Sequence, residues 1–219
     1  MKKLIDLSHT IEDGLVTYKG LPAPIICDYL SRDASKDHYS EGTTFKIGTI
    51  HMCSNTGTYL DSPFHRYENG KDLSELSLVS LASIDGLKIS IPETITAVNK
   101  EFFTGVCVTG KAVLVETNWS RHWNTEQYYE GHPYLTENAA LYLRDMVAVI
   151  VGIDTYNIDD IRGGDRPVHS TLLGAEILIV EHMCNLNKIP NIEFQFYAVP
   201  VKVKGFGSFP VRAFVEFEA

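Results

Sequence analysis

Apolar and polar residues alternate with a short period through most of the chain, and a helical period stands out clearly in one place only. Residues 1–9 predict a short strand running into a Ser8-His9-Thr10 turn, and Gly20-Leu21-Pro22-Ala23-Pro24 marks a loop before the apolar run 24–30. The polar stretch 31–42 reads as a loop or hairpin connection overhanging a site. Residues 43–53 alternate and are rich enough in β-branched side chains for a strand. Gly57 and Pro63 then forbid a long regular element over 55–65, and irregular backbone of this kind aims side chains. Strands are expected at 88–91 and at 112–116, where Ala-Val-Leu-Val-Glu is apolar enough to be central in a sheet. Thr136 is placed to cap the clearest helix, 137–145. A buried strand at 147–153, a Gly- and Asp-rich loop, a short helix at 169–175 and strands at 177–181, 194–203 and 211–217 complete the pattern. With no repeat, low-complexity tract or Pro/Ser-rich linker, residues 1–219 read as a single domain.

Composition narrows the class. Hydrophobic residues make up 44% of the chain and charged residues 21%, which is ordinary for a protein that folds around a core and unlike a disordered one. A formal net charge of -9 argues against nucleic-acid or anionic-lipid partners, because both need Lys and Arg to neutralise phosphate. Cys27, Cys53, Cys107 and Cys184 form no CxxC pair and suit reduced, buried thiols, which fits the cytoplasm. Lys2 and Lys3 suggest a signal-peptide start, but Asp6 interrupts the apolar stretch behind them, and no run approaches a membrane span.

The residues with ligand or acid-base chemistry beside turns or at strand ends are Asp61, His65, His169 and Glu181. Such mixed nitrogen and oxygen donors suit zinc or manganese. Taken singly, Asp61 serves equally as a turn cap and His65 as a hydrogen-bonded core imidazole. His51 and Cys53 share a strand face with Asn55 and are substitute ligand candidates. His9, His38, His122 and His182 lack comparable spacing and read as solvated or core-satisfied. Trp119, Trp123, Tyr128 and Tyr129 form an aromatic-rich patch that either walls a pocket or belongs to the core.

The stretch Asn55-Thr-Gly-Thr-Tyr-Leu-Asp-Ser-Pro-Phe-His65 resembles H-x-G-T-H-x-D-x-P-x-H, the signature of the cyclase family that includes bacterial kynurenine formamidases and isatin hydrolases. Gly57, Thr58, Asp61, Pro63 and His65 match in register, while Asn55 and Tyr59 stand where the family has histidines. The resemblance extends to Ile5-Asp6-Leu7-Ser8, His132-Pro133-Tyr134-Leu135, Gly152-Ile153-Asp154-Thr155 and Pro210-Val211-Arg212-Ala213. It also covers His169-Ser-Thr-Leu-Leu-Gly leading to Ile179-Val180-Glu181.

The resemblance implies an α/β fold, the family's swivelling β/β/α domain with a mixed β-rich core and a few flanking helices. It implies a metal-dependent hydrolase of an amide or cyclic amide that is commonly a homodimer or larger. The family's first metal site is damaged here, since a phenol must lose its proton before it becomes a good anionic ligand and an amide oxygen is a weak one. Asp61, His169 and Glu181 remain as a three-ligand site, with His65 as general base. The rival expectations are a homologue that binds a small molecule without hydrolysing it, and a cyclase or dehydratase using Tyr59 as acid or base.

Overall fold

A computed structural model describes residues 1–218. In chain order the regular elements begin with β1 (Lys2–Asp6), β2 (Ile25–Leu30), α1 (Arg32–Ser35), β3 (Ile47–His51), β4 (Tyr59–Asp61) and β5 (Ile84–Ser90). Next come β6 (Ala97–Val98), β7 (Ala112–Glu116), β8 (Tyr134–Leu135), α2 (Glu137–Asp145) and β9 (Ile150–Ile153). The last are α3 (Pro167–Gly174), β10 (Leu178–Glu181), β11 (Phe194–Tyr197), β12 (Ser208–Pro210) and β13 (Phe214–Glu218). Nine strands form one sheet in the order β1-β13-β11-β5-β7-β9-β10-β4-β12, and β2-β3 and β6-β8 are separate pairs.

The centre of the large sheet, β5 to β10, is parallel, and antiparallel strands extend it on both sides. β7, β9 and β10 are buried along their whole length, which is why they read as unbroken apolar runs. Their side chains still alternate between two cores. Ala112, Leu114, Ile150, Leu178 and Val180 join one, with Leu60, Phe196 and Val215 contributed from strands towards both ends of the order, so the sheet is curled. Val113, Val115, Val151, Ile153 and Ile179 join the other, covered by Ala139, Ala140 and Leu143 of α2 and by Val168, Leu172 and Leu173 of α3. The strand-rich α/β architecture with few helices agrees with the fold expected.

Several local expectations shift. The polar segment 31–42 holds the short helix α1, capped by Ser31, whose Oγ accepts from Ala34 N at 3.1 Å. The strand expected from 147 starts at Ile150, because Val147 adopts φ 57 and cannot pair in a ladder. The run expected over 194–203 stops at Tyr197, three residues before Pro200. Within 55–65, where no long regular element is expected, residues 59–61 form a three-residue strand paired on both sides, and β12 appears where no strand is expected. The thiols are not buried as expected: Cys27 and Cys107 are exposed, Cys53 and Cys184 half-buried, and all four are unpaired. Cys27 lies on β2, which projects with β3 away from the main sheet and faces solvent on both sides. Among the described residues, no helix is long and apolar enough to cross a membrane.

Candidate active site

β4 sits between β10 and β12, and its register sets the site. Tyr59 lies opposite Glu181 and Pro210, and Asp61 opposite Ile179 and Ser208. Two residues apart on a strand, Tyr59 and Asp61 share a face, while Leu60 points into the core. Gly57 holds φ 66 just before the strand, where an added Cβ would stand 2.8 Å from the Ile11 side chain. Beyond it, a turn of 3₁₀ helix over Pro63–His65 brings His65 back beside Asp61. That turn is packed against the approach to β12: Ser62 N donates to Gly207 O at 2.7 Å, and a Cβ on Gly207 would fall 2.3 Å from His65 N.

His169 is placed by Asp159, a residue the sequence did not single out. One Asp159 oxygen accepts from Val168 N at 2.8 Å and the other from His169 N at 3.0 Å, so this carboxylate satisfies the first free amides of α3. The same Asp159 Oδ2 stands 2.6 Å from His169 Nδ1. A carboxylate behind one imidazole nitrogen orients the other, and here Nε2 lies 3.7 Å from Asp61 Oδ2 and 3.8 Å from Glu181 Oε1.

Ser208 was also missed. Its hydroxyl donates a short hydrogen bond to Asp61 Oδ1 and stands 2.8 Å from His65 Nδ1. With the hydroxyl proton committed to Asp61, Ser208 Oγ accepts from His65 Nδ1–H, which leaves His65 Nε2 as the proton acceptor. No local signal marks a serine as a relay.

The charges are strongly coupled. Burial alone would raise Asp61, but the His65 and His169 imidazoles and Ser208 hold it below the usual aspartate range. Burial, with Asp61 nearby, raises Glu181 despite the favourable charge of His169. Burial would lower His169, yet its hydrogen bond to Asp159 and the Asp61 and Glu181 carboxylates facing Nε2 raise it to about 10. Burial and the Glu181 and Asp61 charges push Tyr59 well above the ordinary phenol value, so it is a hydrogen-bond donor, which it gives to Glu181 Oε2 at 2.6 Å.

The donor set fits a divalent cation. Asp61 Oδ2 is fully buried without a hydrogen-bond partner, and an unsatisfied buried carboxylate oxygen is expensive unless something positive meets it. Among the described residues, one ligand atom each from Asp61, His65 and His169 lie within 4.8 Å of one another. Glu181 stands outside that trio: its Oε1 lies 3.8 Å from His169 Nε2 and accepts from Ile158 N at 2.6 Å, and its Oε2 accepts from Tyr59. His51 and Cys53 do not join: His51 is exposed at the end of β3 and Cys53 is half-buried outside the cluster.

Asn55, Tyr59, His65, His169 and Glu181 line a cavity of about 540 Å³ together with Arg66 and Arg166. The aromatic patch does not wall it. Trp123 instead stacks on His9 at 3.9 Å between ring centroids, and the Tyr128 hydroxyl meets His182 Nδ1 at 2.9 Å.

Comparison with known proteins agrees with this fold. Kynurenine formamidase of Bacillus cereus is 25% identical over 214 residues, covering 96% of each chain, and that of Geobacillus thermodenitrificans is 24% identical over 214 residues, covering 97% of each. Among solved structures, isatin hydrolase A from Labrenzia aggregata superposes with a TM-score of 0.85 at 20% identity, covering 100% of this chain and 94% of the other. A protein described as a potential metal-dependent hydrolase with cyclase activity gives a TM-score of 0.82 at 23% identity, covering all of both chains. The Cyclase family model matches residues 5–160, which takes in the whole of the Gly57 to His65 signature, and on that match the chain belongs to the cyclase family.

Proposed function

We propose that this protein is a metal-dependent hydrolase of an amide or cyclic amide, with residues 1–219 acting as one catalytic domain. The observation that carries the reading is the convergence of Asp61, His65 and His169, with Asp61 Oδ2 lacking a hydrogen-bond partner and Glu181 Oε1 3.8 Å from His169 Nε2, beside a His65 whose free nitrogen is set by Ser208. Asp61, His169 and Glu181 are the ligands in this reading. A cation held there supplies Lewis acidity at the substrate carbonyl and acidifies water, and zinc or manganese suits the oxygen and nitrogen donors.

The remaining work belongs to the chain's own residues. His65 Nε2 takes the proton of the attacking water, and the imidazolium is stabilised through Ser208 by the carboxylate of Asp61. As the C–N bond breaks, His65 returns that proton to the leaving nitrogen. Tyr59 keeps its proton and fixes Glu181, so it acts as a positioning donor and does not fit the role of a base in a cyclisation. The kynurenine formamidases and isatin hydrolases among its relatives point to aryl formamides and isatin-like lactams as substrates.

Free, unpaired thiols suit a reducing compartment such as the cytoplasm. The apolar side chains of Ile25, Ile26, Tyr29, Ile47 and Ile50 exposed on the β2-β3 pair suit a homo-oligomer, because a lone two-stranded hairpin is marginal in water. The decisive experiment is elemental analysis of untagged protein together with an assay on formanilide and isatin. A filled site with hydrolysis supports the reading, and a filled site without any amide cleavage sinks it in favour of a non-hydrolytic binding protein.

A further inference from the structure

The loop that follows β9 brings three consecutive residues to the cavity, and the proposed chemistry draws on only two of them. Ile158 N donates to Glu181 Oε1 at 2.6 Å, and Asp159 Oδ2 stands 2.6 Å from His169 Nδ1. Asn157, the residue before them, lines the same cavity as Tyr59, His65, His169 and Glu181. An amide has no net charge and no proton to exchange near neutral pH, so what it brings to a reacting centre is a fixed dipole.

The Asn157 side chain is buried, at 6% exposure, and is held from one end. Its backbone carbonyl accepts from Thr155 Oγ1 at 3.0 Å, and its Oδ1 accepts from Asp159 N at 2.9 Å, a side-chain turn for which asparagine is well suited. A backbone amide can only donate, so the atom facing Asp159 N is the oxygen, and Nδ2 is the end left over. Its two N–H donors have no protein partner among the described residues. The donors around it are already committed: Tyr59 to Glu181, His169 Nδ1–H to Asp159 and His65 Nδ1–H to Ser208. Asn55, the cavity's other amide, is half-buried, and its Oδ1 is tied to its neighbour Ser54 at 2.9 Å.

We propose that Asn157 Nδ2 is the hydrogen-bond donor that receives the substrate's carbonyl oxygen as it becomes an oxyanion, which makes Asn157 a catalytic residue. The inference rests on the amide-hydrolase reading for the reaction, but the donor can also be read from binding alone. When the water oxygen bonds to the carbonyl carbon, the π pair moves onto the carbonyl oxygen and His65 takes the water proton. When the C–N bond breaks, that pair re-forms the carbonyl and the proton passes to the leaving nitrogen. The oxygen is fully charged only between these two events. A dipole locked in place beforehand meets that charge without reorganising, and a neutral one leaves the coupled charges of Asp61, His169 and Glu181 undisturbed.

The test measures formanilide hydrolysis, and by calorimetry the binding of trifluoroacetophenone, whose hydrate has the tetrahedral geometry of the addition product, against that of acetophenone. Wild type, N157A, N157D and N55A are compared, each with its metal content determined. N157A is expected to lower kcat by about 10²- to 10³-fold with little change in KM, and to weaken trifluoroacetophenone by a similar factor while acetophenone is little affected. N157D keeps an oxygen for Asp159 N and replaces the donor by an acceptor, so it is expected to lose at least as much, whereas a residue that only shapes the loop would tolerate it. N55A is expected to lose less than N157A. Full activity in N157D, an unchanged kcat in N157A, or a loss in N157A matched by loss of metal overturns the donor and leaves the hydrolase. Trifluoroacetophenone binding that depends on Asn157, with no amide cleaved by wild type, leaves the donor and overturns the hydrolase. A wild type that neither cleaves formanilide nor prefers trifluoroacetophenone overturns both.

Discussion

The Tyr59 phenol donates to Glu181 Oε2 at 2.6 Å, across adjacent antiparallel strands whose register sets the two residues directly opposite. Both are buried, and the carboxylate is one that burial makes costly to ionise. Tyr59→Phe removes the donor and leaves that oxygen unsatisfied, so metal-free protein is expected to lose about 1–3 kcal/mol in urea unfolding. An unchanged midpoint would show that the bond contributes nothing.

Metal content should follow the oxygen that lacks a partner. Asp61→Ala is expected to abolish bound zinc or manganese, and Asn55→Ala to change it little, because Asn55 lies outside the convergent group. Restoring both histidines with N55H and Y59H should raise the metal stoichiometry, since the pair rebuilds an i, i+4, i+6 set with Asp61. Elemental analysis of the folded variants decides both points.

His65 and Ser208 separate proton transfer from ligation. His65→Ala is expected to lower kcat by about 10² to 10⁴ while the metal is retained. Ser208→Ala leaves the base but removes its orientation, so a smaller loss in kcat with little change in KM is expected. Loss of metal in His65→Ala would instead make this residue a ligand.

Gly207 is a packing requirement of the catalytic turn. A methyl group there would overlap backbone atoms of His65 and Phe64, which cannot move without shifting the imidazole. Gly207→Ala is expected to reduce activity at least as much as Ser208→Ala. An enzyme of full activity would show that the turn adapts freely.

Acidification should cost stability through a buried imidazole. His9 is stacked on Trp123 with Nε2 unpartnered, and burial lowers it to about 4, while His132 is lowered by burial too. A histidine depressed in the folded state binds its proton more readily when unfolded. Its contribution is therefore complete above pH ~6.5 and is lost as pH falls towards 4, up to about 3 kcal/mol for His9. In His9→Gln, which does not titrate, urea unfolding between pH 7 and 4.5 should lose less stability than in wild type. Parallel curves would exclude His9 as the source.

What was legible along the chain was whatever is local or periodic. The run 112–116 announced a central strand because a strand buried on both faces has no polar side to show, and Thr136 followed by an apolar face announced α2. Asp61 and His65 were legible as a pair because four residues separate them across a turn, with Gly57 and Pro63 marking the backbone. The partners that make them a site were not. Ser208 lies 147 residues from Asp61, on a three-residue strand, and only the pairing of β12 with β4 brings its hydroxyl between the carboxylate and the imidazole. Asp159 looked like one more acid in a Gly- and Asp-rich loop until the fold set it under the amides of α3 and against His169. By itself the sequence determined the family, the central strands and the residues with the right chemistry. Tertiary structure alone decided which nitrogen of each histidine is free, which carboxylate oxygen lacks a partner and which arginines reach the cavity, because hydrogen bonding and desolvation depend on neighbours in space that strand pairing, and not chain order, supplies.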